Sequence, residues 1–343
     1  MTMPSADTIF SGGTLRSMRR LGKRYPSAVV AAIVLFSMVT AGAASLPYSV
    51  RWFNVQDLGA GIRHAPSITP AVPEEPYLPD RSDLEATELG ALGGAAYRLT
   101  SLLGHDDLGR SLLYRLLPGF LVSLGIGLGA AVMAIIIGVL WGAVAGLIGG
   151  RLDSLMMRVV DVLYGLPYIL MVILLKIALT RPLTSLLGDR TRYAEVLILF
   201  IAIGGVSWLT MARVVRGQVL ALRNRAFVEA SRLCGAGTWH ILRRHIFPNL
   251  AGPVIVYGLL VIPQAILQES FLSFLGIGVP QPIPSLGRLA ADGVEAVNAF
   301  VGFWWLLVFP CATLVVTLLA LNIIGDALRD AMDPKSRAAS LLA

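Results

Sequence analysis

Charged residues are scarce in this chain. They make up 14% of its 343 residues, against 56% for hydrophobic residues, whereas soluble domains typically carry about 25% charged residues. Lysine is rarer still: only three of the 28 basic residues are lysines, so arginine carries most of the net charge of +7. No basic stretch is interleaved with aromatic residues, which argues against nucleic-acid binding. The composition therefore indicates a protein that resides in the lipid bilayer.

Cysteine is nearly absent. Cys234 and Cys311 lie far apart along the chain, which argues against a disulfide framework or a cysteine-based metal site. The phosphate-binding pattern Gly-x-x-x-x-Gly-Lys-Ser/Thr is missing as well, because Lys23 is followed by Arg24 and preceded by no suitably placed glycine. We therefore expect no nucleotide-binding site of this kind and no cofactor in this chain.

Long apolar runs, by contrast, are abundant. A helix needs about 20 apolar residues to cross roughly 30 Å of hydrocarbon. Six runs satisfy this requirement and predict spans at 27–46, 118–148, 157–179, 196–214, 250–275 and 300–325. The first run follows a basic cluster and is longer than the core of a cleaved signal peptide, so we interpret it as a retained anchor. The fold class is therefore an all-α membrane protein with six transmembrane helices.

The distribution of charge predicts the orientation. Residues 216–245 carry six arginines and a single acid, which places them in the cytoplasm by the positive-inside rule. Residues 48–115 carry more acids than arginines and are expected outside, and an even number of spans returns both termini to the cytoplasm. The predicted segments are a cytoplasmic N-terminal segment at 1–26, a first transmembrane helix at 27–46, an external proline-rich segment at 47–117, a five-helix core at 118–325 with a cytoplasmic loop at 216–249, and a cytoplasmic tail at 326–343.

Glycine marks the second span. Gly125, Gly129, Gly138, Gly142 and Gly146 recur at multiples of four residues, apart from a gap of nine, and so favour one face of small residues. Such a face lets helices approach closely in lipid, where no hydrophobic force drives them together. We expect this span to be central and tightly packed.

The most informative segment runs from Phe227 to Asn249 in the predicted cytoplasmic loop. It is interpreted as two short helices, the first ending at Gly235 and the second beginning at Thr238 and stopping at Pro248. Apolar residues recur at three-residue spacing on the first helix, which suits docking into a groove of a partner. Taken alone, this pattern fits a solvated connector equally well.

Four stretches resemble the permease subunits of ABC importers of the dipeptide and oligopeptide group. The loop contains Glu229-Ala-Ser, three residues, Gly235, and then His245-Ile-Phe-Pro-Asn, which resembles the cytoplasmic coupling motif of that family. The other three are Gly104-His-Asp-Asp-Leu-Gly-Arg110, Ser273-Phe-Leu-Gly-Ile-Gly-Val279 with Pro284-Ser285, and Asn322-Ile-Ile-Gly-Asp-Ala-Leu-Arg-Asp-Ala-Met-Asp-Pro334.

This resemblance implies a type I ABC importer permease fold with a cytoplasmic coupling helix, in the inner membrane. It implies four kinds of partner: a second, B-type permease, two cytoplasmic ATPase subunits that use the ATP, an external substrate-binding protein that delivers peptide, and the lipid bilayer. It also implies that the first short helix of the loop couples the permease to the ATPases. The expected coupling residues are Phe227, Glu229, Ala230, Ser231, Arg232, Leu233 and Gly235.

Polar residues inside the apolar runs are candidates for other roles, because ionisable groups are costly in lipid. Glu269, with Gln268 and Gln264 nearby, is the candidate for the translocation pathway. Asp161 lies three residues after Arg158, and we expect these two to pair at the cytoplasmic end of a span.

Two sets of residues that include histidine raise the question of metal binding. His105, Asp106 and Asp107 are adjacent, and three adjacent residues cannot easily converge on one ion, so we expect them to cap the start of the second span. His240 and His245 lie five residues apart, outside the i, i+4 spacing that places two ligands on one helix face.

Several alternatives remain open at this stage. The family that these stretches resemble also includes permeases for nickel chelates and peptide-like antibiotics, so the sequence does not determine the cargo. A self-sufficient secondary transporter would need buried ion-coupling carboxylates, of which the chain has few. A membrane-embedded enzyme would have to use the external residues His105, Asp106 and Asp107.

Overall fold

The computed structural model describes residues 25–52, 103–106, 110–187, 191–281, 283–297 and 303–332. Within these residues the regular structure is helical, which confirms the all-α class. The ten helices are α1 (Pro26–Trp52), α2 (Leu112–Ile148), α3 (Gly150–Tyr164), α4 (Tyr168–Leu187), α5 (Thr191–Arg223), α6 (Ala226–Leu233), α7 (Thr238–Ile241), α8 (Phe247–Phe274), α9 (Leu286–Ala296) and α10 (Trp304–Met332). The expected segments at 1–26, 47–117 and 326–343 lie wholly or largely outside the described residues.

Six stretches are long and apolar enough to cross a membrane, as predicted. They are Pro26–Leu46, Leu112–Ile148, Tyr168–Ser185, Ala194–Arg223, Thr238–Phe274 and Trp304–Met332. The third stretch differs from the predicted span at 157–179, because the helix is interrupted between Tyr164 and Tyr168. Pro167 causes the break: a proline disfavours helical geometry in the residue before it and has no N–H to donate. The preceding α3 is a separate helix of 15 residues.

The structure divides into two compact units, the first comprising residues 1–35, 126–266 and 318–343. In this unit α2 packs along α5 through its glycines. A Cβ on Gly129 would lie 2.6 Å from the Phe200 ring. A Cβ on Gly138 would lie 2.6 Å from Met211, and a Cβ on Gly146 would lie 2.9 Å from Val219. The contacts advance in the same direction along both helices, so α2 and α5 run parallel, as the second and fourth of six alternating spans must. The predicted close-packed glycine face is therefore present at these positions.

The second unit comprises residues 36–125 and 267–317. Its short helix α9 begins after Ser285, whose hydroxyl accepts a hydrogen bond from the backbone N–H of Arg288 at 3.1 Å. This is an N-cap, which satisfies one of the backbone donors left open at a helix start. Gly119 of α2 lies against α9, since a Cβ there would come within 3.3 Å of Leu289. No pattern in the sequence predicted this helix.

Candidate functional site

Helix α6 follows α5 almost without interruption. Only Asn224 and Arg225 separate Arg223, the last residue of α5, from Ala226, the first residue of α6. The Arg225 carbonyl accepts hydrogen bonds from the backbone N–H groups of Val228 at 2.9 Å and Glu229 at 3.2 Å. The first turn of α6 is therefore formed by its own backbone, and the direction of the helix is determined within two residues of the end of α5.

Val228 anchors α6 to the rest of the first unit. Its side chain is fully buried and belongs to an apolar cluster that draws residues from α2, α5, α7, the segment at Leu242–Ile246 and the start of α8. The other buried members are Ala143, Leu147, Met211, Val215, Val219, Ile241, Leu242, Ile246 and Leu250. Val228 therefore packs α6 against the helices that share this cluster.

The opposite side of α6 is exposed. Leu233 is 90% exposed and Phe227 is 42% exposed, and Glu229, Ala230 and Arg232 are exposed as well. Ser231 is half-buried. The apolar residues expected to meet a partner are thus available at the surface, and the residue that holds the helix in place is a different one. Their contact with a partner stays a prediction.

Gly235 ends the helix as predicted. It has φ of 81°, a left-handed conformation that glycine adopts without steric cost. The Gly235 N–H donates to the Arg232 carbonyl at 2.9 Å, and the Ala236 N–H donates to the Ser231 carbonyl at 3.0 Å. These two bonds form a Schellman motif, which satisfies carbonyls that a helix end leaves open. The C-terminal end of α6 is therefore closed by its own backbone.

The second predicted helix starts at Thr238 as expected, but the prediction that it stops at Pro248 is wrong. The chain forms a π-helical segment at Leu242–Ile246 and continues directly into α8. A proline ring collides with the carbonyl four residues earlier in an α-helix. A π segment comes just before Pro248, and local π adjustments of this kind let a membrane helix that contains proline satisfy the backbone groups that the proline frees.

The π segment also changes which side chains are neighbours. His240 and His245 lie with ring centroids 6.2 Å apart, and His245 lies 5.9 Å from the Phe227 ring. The hydrogen bonds of a π-helix join residue i to residue i+5, so two residues five apart, which would lie on different faces of an α-helix, come together across this segment. His245 thereby contacts α6 directly, which spacing rules for an α-helix did not reveal.

The three residues proposed for the translocation pathway have different environments. Gln264 is exposed and Gln268 is half-buried, whereas Glu269 is fully buried. The Glu269 carboxylate accepts hydrogen bonds from Ser123 at 2.8 Å and Ser273 at 2.7 Å. In the second unit this carboxyl therefore joins α2 to α8. A pathway role for all three residues stays a prediction.

Asp106 is held by arginines. It accepts from the Arg110 Nε at 2.7 Å and from Arg115 Nη1 at 2.8 Å, and Arg115 also donates to Asp292 at 3.0 Å. Asp106 and Arg115 are both about 95% buried, and a buried charge requires such a partner. This supports a structural role at the start of α2. Asp107 lies outside the described residues. Asp292 is 177 positions from Arg115, so no sequence pattern indicated the Arg115–Asp292 pair.

Two further ion pairs join α3 to α5. Arg213 donates a hydrogen bond to the Asp161 carboxylate at 2.9 Å. The prediction that Asp161 pairs with Arg158 is therefore wrong. Arg216 binds Asp153 through two hydrogen bonds, of 2.5 and 2.7 Å. The hydrogen-bonded Arg216 guanidinium holds the pKa of the Asp153 carboxyl below its ordinary value. Arg158 and Asp161 are three residues apart on α3, a spacing that would allow a pair, but Asp161 instead binds Arg213 on the neighbouring helix α5, a contact that local spacing does not reveal.

Comparison with known proteins identifies the family. The family described as "Binding-protein-dependent transport system inner membrane component" matches residues 134–338, which include the whole of α6 and the π segment. The chain belongs to this family. The oligopeptide transport system permease protein OppC of Salmonella typhimurium is 49% identical over 68% of this chain and 72% of that protein. The dipeptide transport system permease protein DppC of Bacillus subtilis is 44% identical over 68% of each chain.

The fold of this permease is also found in a solved structure. The MetNI methionine ABC transporter, in an inward-facing conformation, matches 65% of this permease and 98% of the compared chain, with a TM-score of 0.50 and 16% identity. This likeness supports the type I importer fold and nothing more. Together the comparisons confirm the permease interpretation: the chain is a multi-pass inner membrane subunit of an ABC importer, a class that works with an ATPase and a second permease.

Proposed function

We propose that this permease transports di- or oligopeptides, forming the pathway with a second, B-type permease. The names of its relatives support this cargo, since the proteins at 49% and 44% identity are described as oligopeptide and dipeptide permeases. A substrate-binding protein outside the cell delivers the peptide. Two ATPase subunits in the cytoplasm hydrolyse ATP, so this permease is not itself an enzyme and uses no cofactor. Both of its termini face the cytoplasm.

In this proposal α6 is the coupling helix. Its exposed residues enter a groove of one ATPase subunit, and Gly235 closes the helix at the edge of that groove. The observation that carries the proposal is the division of roles on α6, where Leu233 is 90% exposed while Val228 is fully buried. A movement of the ATPase displaces α6, and the cluster around Val228 passes the displacement to α2, α5 and α8. These helices then open the pathway alternately to either side.

A single substitution at the exposed face tests the proposal. Leu233→Asp removes an apolar side chain that would be buried in the groove, a loss of about 1.5 to 3 kcal/mol, or roughly 10- to 100-fold in affinity for the ATPase. Because Leu233 is exposed in the permease itself, its own packing is unaffected. The assay is peptide-stimulated ATP hydrolysis and peptide uptake in proteoliposomes that contain the assembled complex.

Cys234→Ser is the matched control, since Cys234 is the next residue, is exposed and lies outside the expected coupling set. We expect Leu233→Asp and Glu229→Lys to lose coupled uptake and Cys234→Ser to retain it. Uptake that remains coupled in both Leu233→Asp and Glu229→Lys would refute the coupling assignment. Uptake by the chain without any ATPase would instead show a secondary transporter.

A further inference from the structure

A polar crevice lies between α3 and α5 in the first unit, apart from the coupling helix. Its volume is about 660 Å³, and its lining residues come only from these two helices. They are Ser154, Met157, Arg158, Asp161, Val162, Arg213 and Arg216.

The lining is basic. Three of the residues are arginines and one is an acid, which gives a charge of 3 − 1 = +2. Asp153 binds Arg216 from the buried side and lowers this to +1. Arg213 and its partner Asp161 are 42% and 65% exposed, so water weakens that pair. The crevice therefore attracts anions.

The crevice lies where the hydrocarbon of the bilayer ends. Residues 196–212 of α5 are uncharged, and Arg213 is the first charged residue after them. Arg216 lies one turn further along, about 4.5 Å by helix geometry. Arginines in such a position place their guanidinium groups among lipid headgroups. The crevice thus opens at headgroup depth.

An exposed apolar stripe adjoins the crevice along α3. Leu152, Leu155, Val159 and Val162 are separated by three or four residues and so share one face of the helix. They are 41%, 62%, 41% and 66% exposed. Val162 belongs to both features, since it also lines the crevice. Basic and apolar surfaces therefore meet along a helix of 15 residues that immediately precedes a candidate span.

We propose that this crevice binds the phosphate headgroup of an anionic phospholipid, whose acyl chain lies along the α3 stripe. A phospholipid matches both halves of the surface, because it carries an anionic group directly joined to long apolar chains. Basic pockets between helices at the membrane surface are suited to such headgroups, and each arginine near the surface contributes about 1 kcal/mol. A peptide carboxylate would fill the basic half and leave the stripe uncovered. The proposal is independent of the cargo and of the coupling helix.

Native mass spectrometry of the delipidated, assembled transporter tests the proposal. Phosphatidylglycerol and phosphatidylcholine are added separately, and binding to the wild type is compared with binding to the Arg158→Gln, Arg213→Gln double variant. Loss of two arginines should weaken phosphatidylglycerol binding roughly 30-fold and leave phosphatidylcholine binding unchanged. Asp161→Asn removes the acid of the crevice and should strengthen phosphatidylglycerol binding, a gain that misfolding cannot produce.

The control removes the same charge elsewhere. Arg243 and Arg329 are exposed and do not line the crevice, so the Arg243→Gln, Arg329→Gln variant should bind phosphatidylglycerol as the wild type does. Glycerol phosphate, which lacks acyl chains, should not compete. Equal binding by the two double variants would overturn the proposal, and so would effective competition by glycerol phosphate. Cross-linking of an Arg158→Cys variant to the second permease would overturn it as well, because the crevice would then be a subunit interface.

Discussion

Substitution of Val228 by alanine tests whether burial of this side chain holds α6 in place. The change removes two methyl groups from a fully buried position. At about 0.8 kcal/mol for each buried methylene-sized group, this amounts to roughly 1.6 kcal/mol, and the cavity left behind raises it to about 2 kcal/mol. The cost falls on the docking of α6, because this is the contact that Val228 makes for the helix. Opening of α6 should become about 30-fold more populated.

Hydrogen exchange of the peptide that covers residues 224–237 measures this opening in lipid nanodiscs. Amides that exchange by local opening should exchange about 30-fold faster in Val228→Ala. Leu233→Ala supplies the matched control, because its side chain is 90% exposed and contributes little to docking α6 on its own chain. Its exchange should match that of the wild type, while its affinity for the ATPase falls. Equal exchange in the two variants would refute the separation of anchoring and binding faces.

Three further predictions concern packing, charge and the end of the helix. Gly142→Ala should lower the thermal midpoint in detergent, because its Cβ would collide with the α5 backbone, whereas Gly125→Ala meets nothing within 4 Å and should not lower it. The pKa of Asp153 is depressed in the folded chain. The stabilisation of the fold by this carboxylate is therefore complete above the unfolded pKa of about 3.9 and is lost as the pH falls through the folded pKa. Asp153→Asn should flatten the dependence of the thermal midpoint on pH below about 4. Gly235→Ala should speed hydrogen exchange at the end of α6, because alanine is strained by about 1 kcal/mol in the left-handed conformation of this residue. Gly237→Ala should not, because Gly237 has a negative φ. For each prediction, an equal effect of the variant and its control would contradict it.

Features that depend on local sequence were predictable. The six spans follow from the length of apolar runs, and the end of α6 follows from Gly235, since a left-handed residue after a helix is usually glycine. The glycine face on α2 was predictable for the same reason, because a four-residue repeat determines which side chains share a helix face. Each of these inferences requires only neighbours within a few turns of the chain.

Features that depend on contacts between distant segments were not predictable. Arg115 and Asp292 are 177 residues apart, and Asp161 binds Arg213 on another helix rather than the basic residue three positions away. The π segment before Pro248 was missed for a related reason. A proline is compatible with either a helix end or a bulge, and the decision depends on whether the residues on both sides are buried together, as Ile246 and Leu250 are.

In the proposed coupling, the short connections of α6 let a surface helix of eight residues transmit force. Two residues join it to α5, and four residues, closed by the Schellman bonds at Gly235, join it to α7. A long flexible linker would absorb a displacement of α6 before the spans responded, whereas these connections leave little slack. Val228 points into the shared cluster while Phe227 and Leu233 remain at the surface, so a force applied to the exposed face acts against the packed core. Lengthening the Asn224-Arg225 connection by four glycines should therefore preserve ATPase binding and abolish coupled uptake, and uptake at the wild-type rate would show that the force takes another route.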